Sequence, residues 1–347
     1  MRTGRDLARL LALCGACLAA GACAAAPEAH GVPITNAELA FAGGPQARWL
    51  GLNGNSSDPS DDLGGIDEFA AEGIVYDRGN GIEWQAGRLP TKGAWGRGLA
   101  TSIDSGMVPV VTIEFRAYGG AGCDPGRDCL PSGAAAHSYV AGFVRSARAM
   151  LGEYPHSEIL FEPINEPYLH GTATQYAAIL ARLLPAAARA HIPLTDVYVA
   201  ATGSGWLSAM YAAQPSLRRL VAAWYVHPYG PPGAPGTYEG GIRSLPTLRA
   251  EMASGRNNVI VSEVGYCAQD LPRGWECPPG PYTLATSAQA ATSLTEALAA
   301  ALLYHQQGWL KALLVYGRGS YQGWGMQLPG GALTAEGEAL EAFAALL

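Results

Sequence analysis

After residue 46 the chain alternates eight apolar, β-branched runs with alanine-rich stretches of helical period, and this alternation restricts the fold more than any other property of the sequence. The runs are "ARWLGLN" (47 to 53), "GIVYD" (73 to 77), "MVPVVTIEF" (107 to 115), "EILFEPI" (158 to 164), "DVYVAA" (196 to 201), "LVAAWYVH" (220 to 227), "NVIVSEV" (258 to 264) and "KALLVYG" (311 to 317). Between them apolar residues recur every three and four positions, most plainly at Tyr139, Val140, Phe143, Val144, Ala147, Met150 and Leu151. Other helical stretches cover about Ala173 to Ala190, Ala285 to Gln307 and Thr334 to Leu347. Runs that are apolar throughout, rather than every second residue, belong to parallel strands covered on both faces. Eight such units in roughly 300 residues predict an α/β protein folded as a single (β/α)8 TIM barrel over 46–347. An open doubly wound sheet would carry a glycine-rich phosphate loop after its first strand. The segment there, "GLNGNSSDPSDD", has no such fingerprint.

The first 22 residues combine three arginines with an apolar stretch from Leu10 to Ala20 and then small residues, which reads as an export signal, followed by a flexible leader over 23–45. The stretch is shorter than the about 20 apolar residues that span a bilayer. "AGAC" resembles a bacterial lipobox, with alanine where leucine is usual, and makes Cys23 the lipidated residue. Of the seven cysteines, Cys14 and Cys17 would leave with the signal, while Cys123 with Cys129 and Cys267 with Cys277 form two close pairs. Cys23 is then the odd one, and an unpaired thiol is unexpected in an exported protein. A lipid on Cys23 would attach the chain to the membrane, at the cell surface or in the periplasm; cleavage just beyond Cys23 would leave it secreted. A four-cysteine zinc site is the other reading of the two pairs, but inner spacings of five and nine residues suit short metal knuckles poorly. Two local disulfides are expected.

The formal net charge is -7, and the first 26 residues, with three arginines and one aspartate, contribute +2, so the remainder sits at -9. That balance excludes a nucleic-acid partner. No spacing among the seven histidines suggests a metal site, and no cofactor is expected.

The fourth run continues as "ILFEPINEPYLHG" (159 to 171), which places Glu162 and Glu166 four residues apart. In a strand running through this stretch, Glu162, Ile164 and Glu166 share one face. Barrel chemistry sits at the C-terminal strand ends, where Glu166 falls. Glu162 lies one layer deeper and is expected to pair with an arginine or hydroxyl, since a lone buried carboxylate is costly. The seventh run, "NVIVSEVGY", likewise ends on Glu263. In a ring of eight, the ends of strands four and seven face each other across the mouth. Two opposed carboxylates suit glycoside hydrolysis, one protonating the leaving oxygen and one attacking the anomeric carbon; retention of configuration requires them about 5 to 5.5 Å apart.

"FEPINEP" followed by "VHPY" and "VSEVG" resembles the clan A retaining glycoside hydrolases, in particular the cellulase and mannanase family numbered five. The resemblance runs from about residue 47 to the C-terminus. It implies that Glu166 is the acid/base and Glu263 the nucleophile, that Asn165 bonds the sugar 2-hydroxyl, and that His227 and Tyr229 are the His-x-Tyr pair after strand six. Arg78 in "VYDRG" would be the arginine that keeps the nucleophile ionised. The acid/base would need its pKa raised. The aromatic residue near the end of strand eight is Tyr316 or Trp324. The family's histidine after strand three is absent; "TIEFRAYGG" offers Glu114, Arg116 and Tyr118 instead. Trp206 and Trp324 are candidates for stacking on sugar rings.

The expected function is therefore hydrolysis of a β-linked glucan or mannan by double displacement, without a cofactor. Transglycosylation with the same residues is an alternative, and so is a surface lipoprotein that binds polysaccharide without cutting it. The separation of the two carboxyl groups discriminates the last from the others.

Overall fold

The computed structural model describes residues 48–53, 74–78, 82–84, 95–115, 129–203, 205–230, 241–271, 283–284, 286–317, 326, 332–345 and 347. The export signal, the leader with Cys23, Trp324, Cys123, Cys277, Arg116 and Tyr118 lie outside the described residues.

Eight parallel strands form the barrel: β1 (Leu50–Asn53), β2 (Tyr76–Arg78), β3 (Val108–Phe115), β4 (Leu160–Glu162), β5 (Tyr198–Ala200), β6 (Ala223–Val226), β7 (Val259–Val264) and β8 (Leu310–Tyr316). Each pairs with its successor, and β8 pairs back onto β1 through Leu50 with Leu313 and Asn53 with Tyr316. The β4–β5 seam is a single bridge, Phe161 with Val197. All eight apolar runs thus contribute a strand, and β1, β4, β5, β6 and β7 are buried at every position. A parallel strand enclosed on both faces has no place for the polar alternation of a half-exposed one.

The helices follow the strands: α1 (Trp95–Asp104), α2 (Gly133–Glu153), α3 (Pro167–His170), α4 (Ala173–Arg189), α5 (Trp206–Ala213), α6 (Leu217–Leu220), α7 (Leu245–Glu251), α8 (Ser287–Gln306) and α9 (Ala335–Ala345). On α2 the face read from the sequence is the buried one, with Tyr139, Val140, Phe143, Ala147 and Met150 inside, and the Tyr139 hydroxyl donates to the Ile113 carbonyl at 2.8 Å, tying α2 to β3. Helices α4 and α8 both start from a capping box, Thr172 with Gln175 and Thr286 with Gln289. Each threonine takes an otherwise unpaired N–H of the first turn, and each glutamine reaches back to the threonine N–H.

One expectation is corrected. Strand β4 ends at Glu162, so Ile164 and Glu166 do not continue its alternating face. Pro163 has no N–H to extend the ladder, and Glu166 takes φ 41° and ψ 55°, in the left-handed region. The sequence from Pro163 to Glu166 is a turn that lifts Glu166 clear of the strand and into the mouth.

Candidate active site

Arg78, the last residue of β2, is the hub of the site. Its Nε donates to Glu162 Oε2 at 2.8 Å, its Nη2 to Asn165 Oδ1 at 2.8 Å, and its Nη1 to Glu263 Oε1. One guanidinium thus ties β2, β4, the turn after β4, and β7 together. Burial works against its charge, but Glu162 and Glu263 outweigh burial and hold it protonated throughout the accessible pH range. Glu162 is fully buried; its Oε2 also accepts from Thr112 Oγ1 at 3.1 Å, and its Oε1 has no hydrogen-bond partner among the described residues. This carboxylate points into the barrel and supports Arg78 from below.

Three further contacts shape the turn after β4. The Asn165 N–H donates to Glu114 Oε1 at 2.8 Å. The Glu166 N–H donates to the Tyr225 hydroxyl at 3.1 Å, and that hydroxyl donates on to the Ile164 carbonyl. The left-handed conformation of Glu166 is uncommon for a residue with a side chain and persists only where its surroundings over-determine it. Glu114 and Tyr225 supply that determination here.

The Glu166 carboxyl is only 18% exposed; it accepts from the Tyr168 hydroxyl and lies 3.1 Å from His227 Nδ1. Glu263, near the end of β7, accepts from Arg78 and from the Tyr229 hydroxyl, and its Oε2 lies 3.5 Å from His227 Nδ1. Oxygens of the two glutamates and a ring nitrogen of His227 all fall within 4.8 Å of one another. Nε2 of His227 is 3.0 Å from Ser262 Oγ. The imidazole thus stands between the two carboxylates with its far side anchored on β7.

Electrostatics in this cluster run against one expectation. Burial pushes the Glu166 carboxyl up, but the hydrogen bond to His227 and the charges of His227 and Arg78 outweigh it, so the group sits below its ordinary value. Burial pushes His227 down, yet Glu263 and Glu166 outweigh it and the imidazole sits above its ordinary value. At pH values between the two, the pair holds one proton, on the ring. Burial and then Glu263 push the Tyr229 hydroxyl well up, so it stays a donor.

The six residues Arg78, Asn165, Glu166, His227, Tyr229 and Glu263 share one mouth. Tyr316 joins them at the end of β8, its ring edge-to-face with Tyr229 at 6.2 Å. Trp206 lies on the side of Glu166, next to the Tyr168 that donates to it. It packs on Tyr168 and Tyr176 at 6.4 and 6.3 Å and, with Tyr168 and Thr202, lines a cavity of about 440 Å³. Cys129 and Cys267 are buried and disulfide-bonded.

Sequence reasoning passed over Tyr168, Tyr225 and Ser262. A signal existed for Tyr225, because strand alternation puts it on the face of His227. Tyr168 and Ser262 gave none: one depends on the turn after β4, the other on the packing of β6 against β7.

Neither a family profile nor a curated protein matches the sequence. Solved structures do match the fold. XacCel5A in complex with cellopentaose is 12% identical, with TM-score 0.56 over 85% of this chain and 99% of that one. A broad-specificity endoglucanase from Clostridium acetobutylicum is 11% identical, with TM-score 0.56 over 86% and 97%. A family 39 glycoside hydrolase from Bacteroides cellulosilyticus is 14% identical, with TM-score 0.62 over 87% of this chain and 64% of that one. At such identities the likeness is one of fold, and the chain is a (β/α)8 barrel similar to those of clan A glycoside hydrolases.

Proposed function

We propose that the protein is a retaining glycoside hydrolase acting on a β-linked glucan or mannan. The observation that carries this reading is the placement of Glu166, in the turn after β4, and Glu263, near the end of β7, at one mouth with carboxyl oxygens within 4.8 Å. That spacing matches a nucleophile and an acid/base serving one anomeric carbon, and leaves too little room for the water that inversion places between them.

In this reading Glu263 attacks the anomeric carbon as the bond to the leaving oxygen breaks, and the bonding pair goes to that oxygen. The oxygen takes the proton held by the Glu166–His227 pair, delivered through the Glu166 carboxyl. A water then gives its proton to Glu166 and attacks the same carbon, and Glu263 departs as carboxylate. Arg78 and Tyr229 supply the donors that receive the returning charge. Asn165 has its oxygen committed to Arg78, which leaves its amide nitrogen to donate to a sugar hydroxyl. Support for a β-linked glucan comes from the cellopentaose bound to one barrel of the same fold.

The test is release of reducing sugar from β-glucans, mannans and xylans by wild type, Glu166→Ala and Glu263→Ala. Cleavage of one polymer by wild type, reduced by several orders of magnitude in both variants, is expected. Binding without cleavage by wild type would replace this reading with that of a carbohydrate-binding protein.

A further inference from the structure

We propose that Glu166, His227 and Glu263 also form a latent site for a divalent transition metal of the zinc class, and that the bound ion shuts the site. The binding claim stands on geometry alone; the inhibition claim rests on the glycosidase reading.

Three observations carry it. First, His227 Nδ1 lies 3.1 Å from Glu166 Oε1 and 3.5 Å from Glu263 Oε2, and the remaining edge between the glutamates is no longer than 4.8 Å. Ligands about 2.0 to 2.2 Å from a tetrahedral zinc stand about 3.4 Å apart along each edge. Two edges already have that length, and rotation of a glutamate side chain closes the third. Second, Ser262 Oγ is 3.0 Å from Nε2 and can accept the proton of that nitrogen, which turns the lone pair of Nδ1 toward the carboxylates. A partner on the far ring nitrogen is what orients a metal-binding histidine. Third, the charge is unbalanced. Among the described residues Glu162 and Glu263 both pair with the guanidinium of Arg78 and Glu166 meets His227, so three carboxyl groups share one permanent cation. A dication cancels that excess. An imidazole with two carboxylates favours zinc or copper over magnesium or calcium, which prefer all-oxygen sites.

An ion held here takes the Glu166 oxygen that must carry the proton and the Glu263 oxygen that must attack. Inhibition is then competitive with the sugar and reversed by a chelator.

The test is isothermal titration of zinc chloride into the untagged, metal-free full chain, with magnesium chloride for comparison. One zinc per chain is expected, with no heat from magnesium. Ser262→Ala should weaken binding by about 10- to 100-fold, and Glu166→Gln and Glu263→Gln by at least as much, each variant first shown to be folded by circular dichroism. His156→Gln, an exposed histidine on the opposite end of the barrel, should change nothing. Absence of zinc binding, or binding undiminished in Glu166→Gln and Glu263→Gln, overturns the proposal. Polysaccharide cleavage that persists under saturating zinc overturns the inhibition claim alone. Zinc binding lost in both variants of a protein that cleaves no polysaccharide leaves the metal site standing and removes the glycosidase reading.

Discussion

Glu114, next to last in β3, accepts the Asn165 N–H from the turn that carries Glu166. Burial pushes its carboxyl from 4.5 up to about 8, against the opposing pull of the Asn165 N–H and the Arg78 charge. Its folded value thus lies above its unfolded one. Between those two values the folded chain keeps a proton that the unfolded chain releases, so stability falls as pH rises from about 4.5 to about 8 and levels off above. Glu114→Gln should flatten that part of the stability profile, measured by urea unfolding at several pH values; parallel profiles for variant and wild type would contradict it. The position was readable from the sequence as a strand end, but its bond to the Asn165 N–H was not. That bond depends on Glu166 adopting a left-handed conformation, which no local pattern around "INEP" dictates. By contrast, the meeting of Glu166, His227 and Glu263 was legible, because the order of strands around a ring places their ends without any knowledge of the turns.

Helices α4 and α8 follow the two strands that lead to the glutamates, and both open with Thr-x-x-Gln. Apolar spacing alone places them at about 173 to 190 and 285 to 307, against Ala173–Arg189 and Ser287–Gln306, and the caps set the starts. Thr286→Ala removes the side chain that takes the Gln289 N–H at 3.2 Å. It should cost about 1 kcal/mol of stability, read as a lower midpoint in chemical denaturation with an unchanged slope; no shift would mean that water replaces the cap at no cost. Strand ends were less legible. The run at 158 to 164 yields a strand of three residues because Pro163 halts the ladder, and β2 ends on Arg78, one residue beyond its apolar run. The short strand Ile82–Trp84, which pairs with β3, had no apolar run to announce it. Within β1, Gly51 is required by close approach: a Cβ there would lie 2.6 Å from Leu314 Cγ and from Tyr76 Cβ. Apolar periodicity finds a strand but does not report how tightly its neighbours press.

For the molecule as a whole, the fold class follows from the count and continuity of apolar runs, and the pairing of β8 with β1 closes the ring that those runs only suggest. Trp49, just before β1, packs edge-to-face on Phe343 of α9 at 6.3 Å, so the two ends of the barrel segment are neighbours. In cyclic order the first strand is no different from the others, and the chain's starting point is a cut in a circle that can be made elsewhere. A circular permutant of residues 48 to 347, with a linker of about six residues that reaches roughly 20 Å, opened in the exposed turn between Pro155 and His156, should fold with the circular dichroism spectrum and cooperative unfolding of the parent. A permutant opened at Val261, inside β7, should not. Failure of the first would mean that the order of synthesis, and not the closed ring alone, determines whether this barrel assembles.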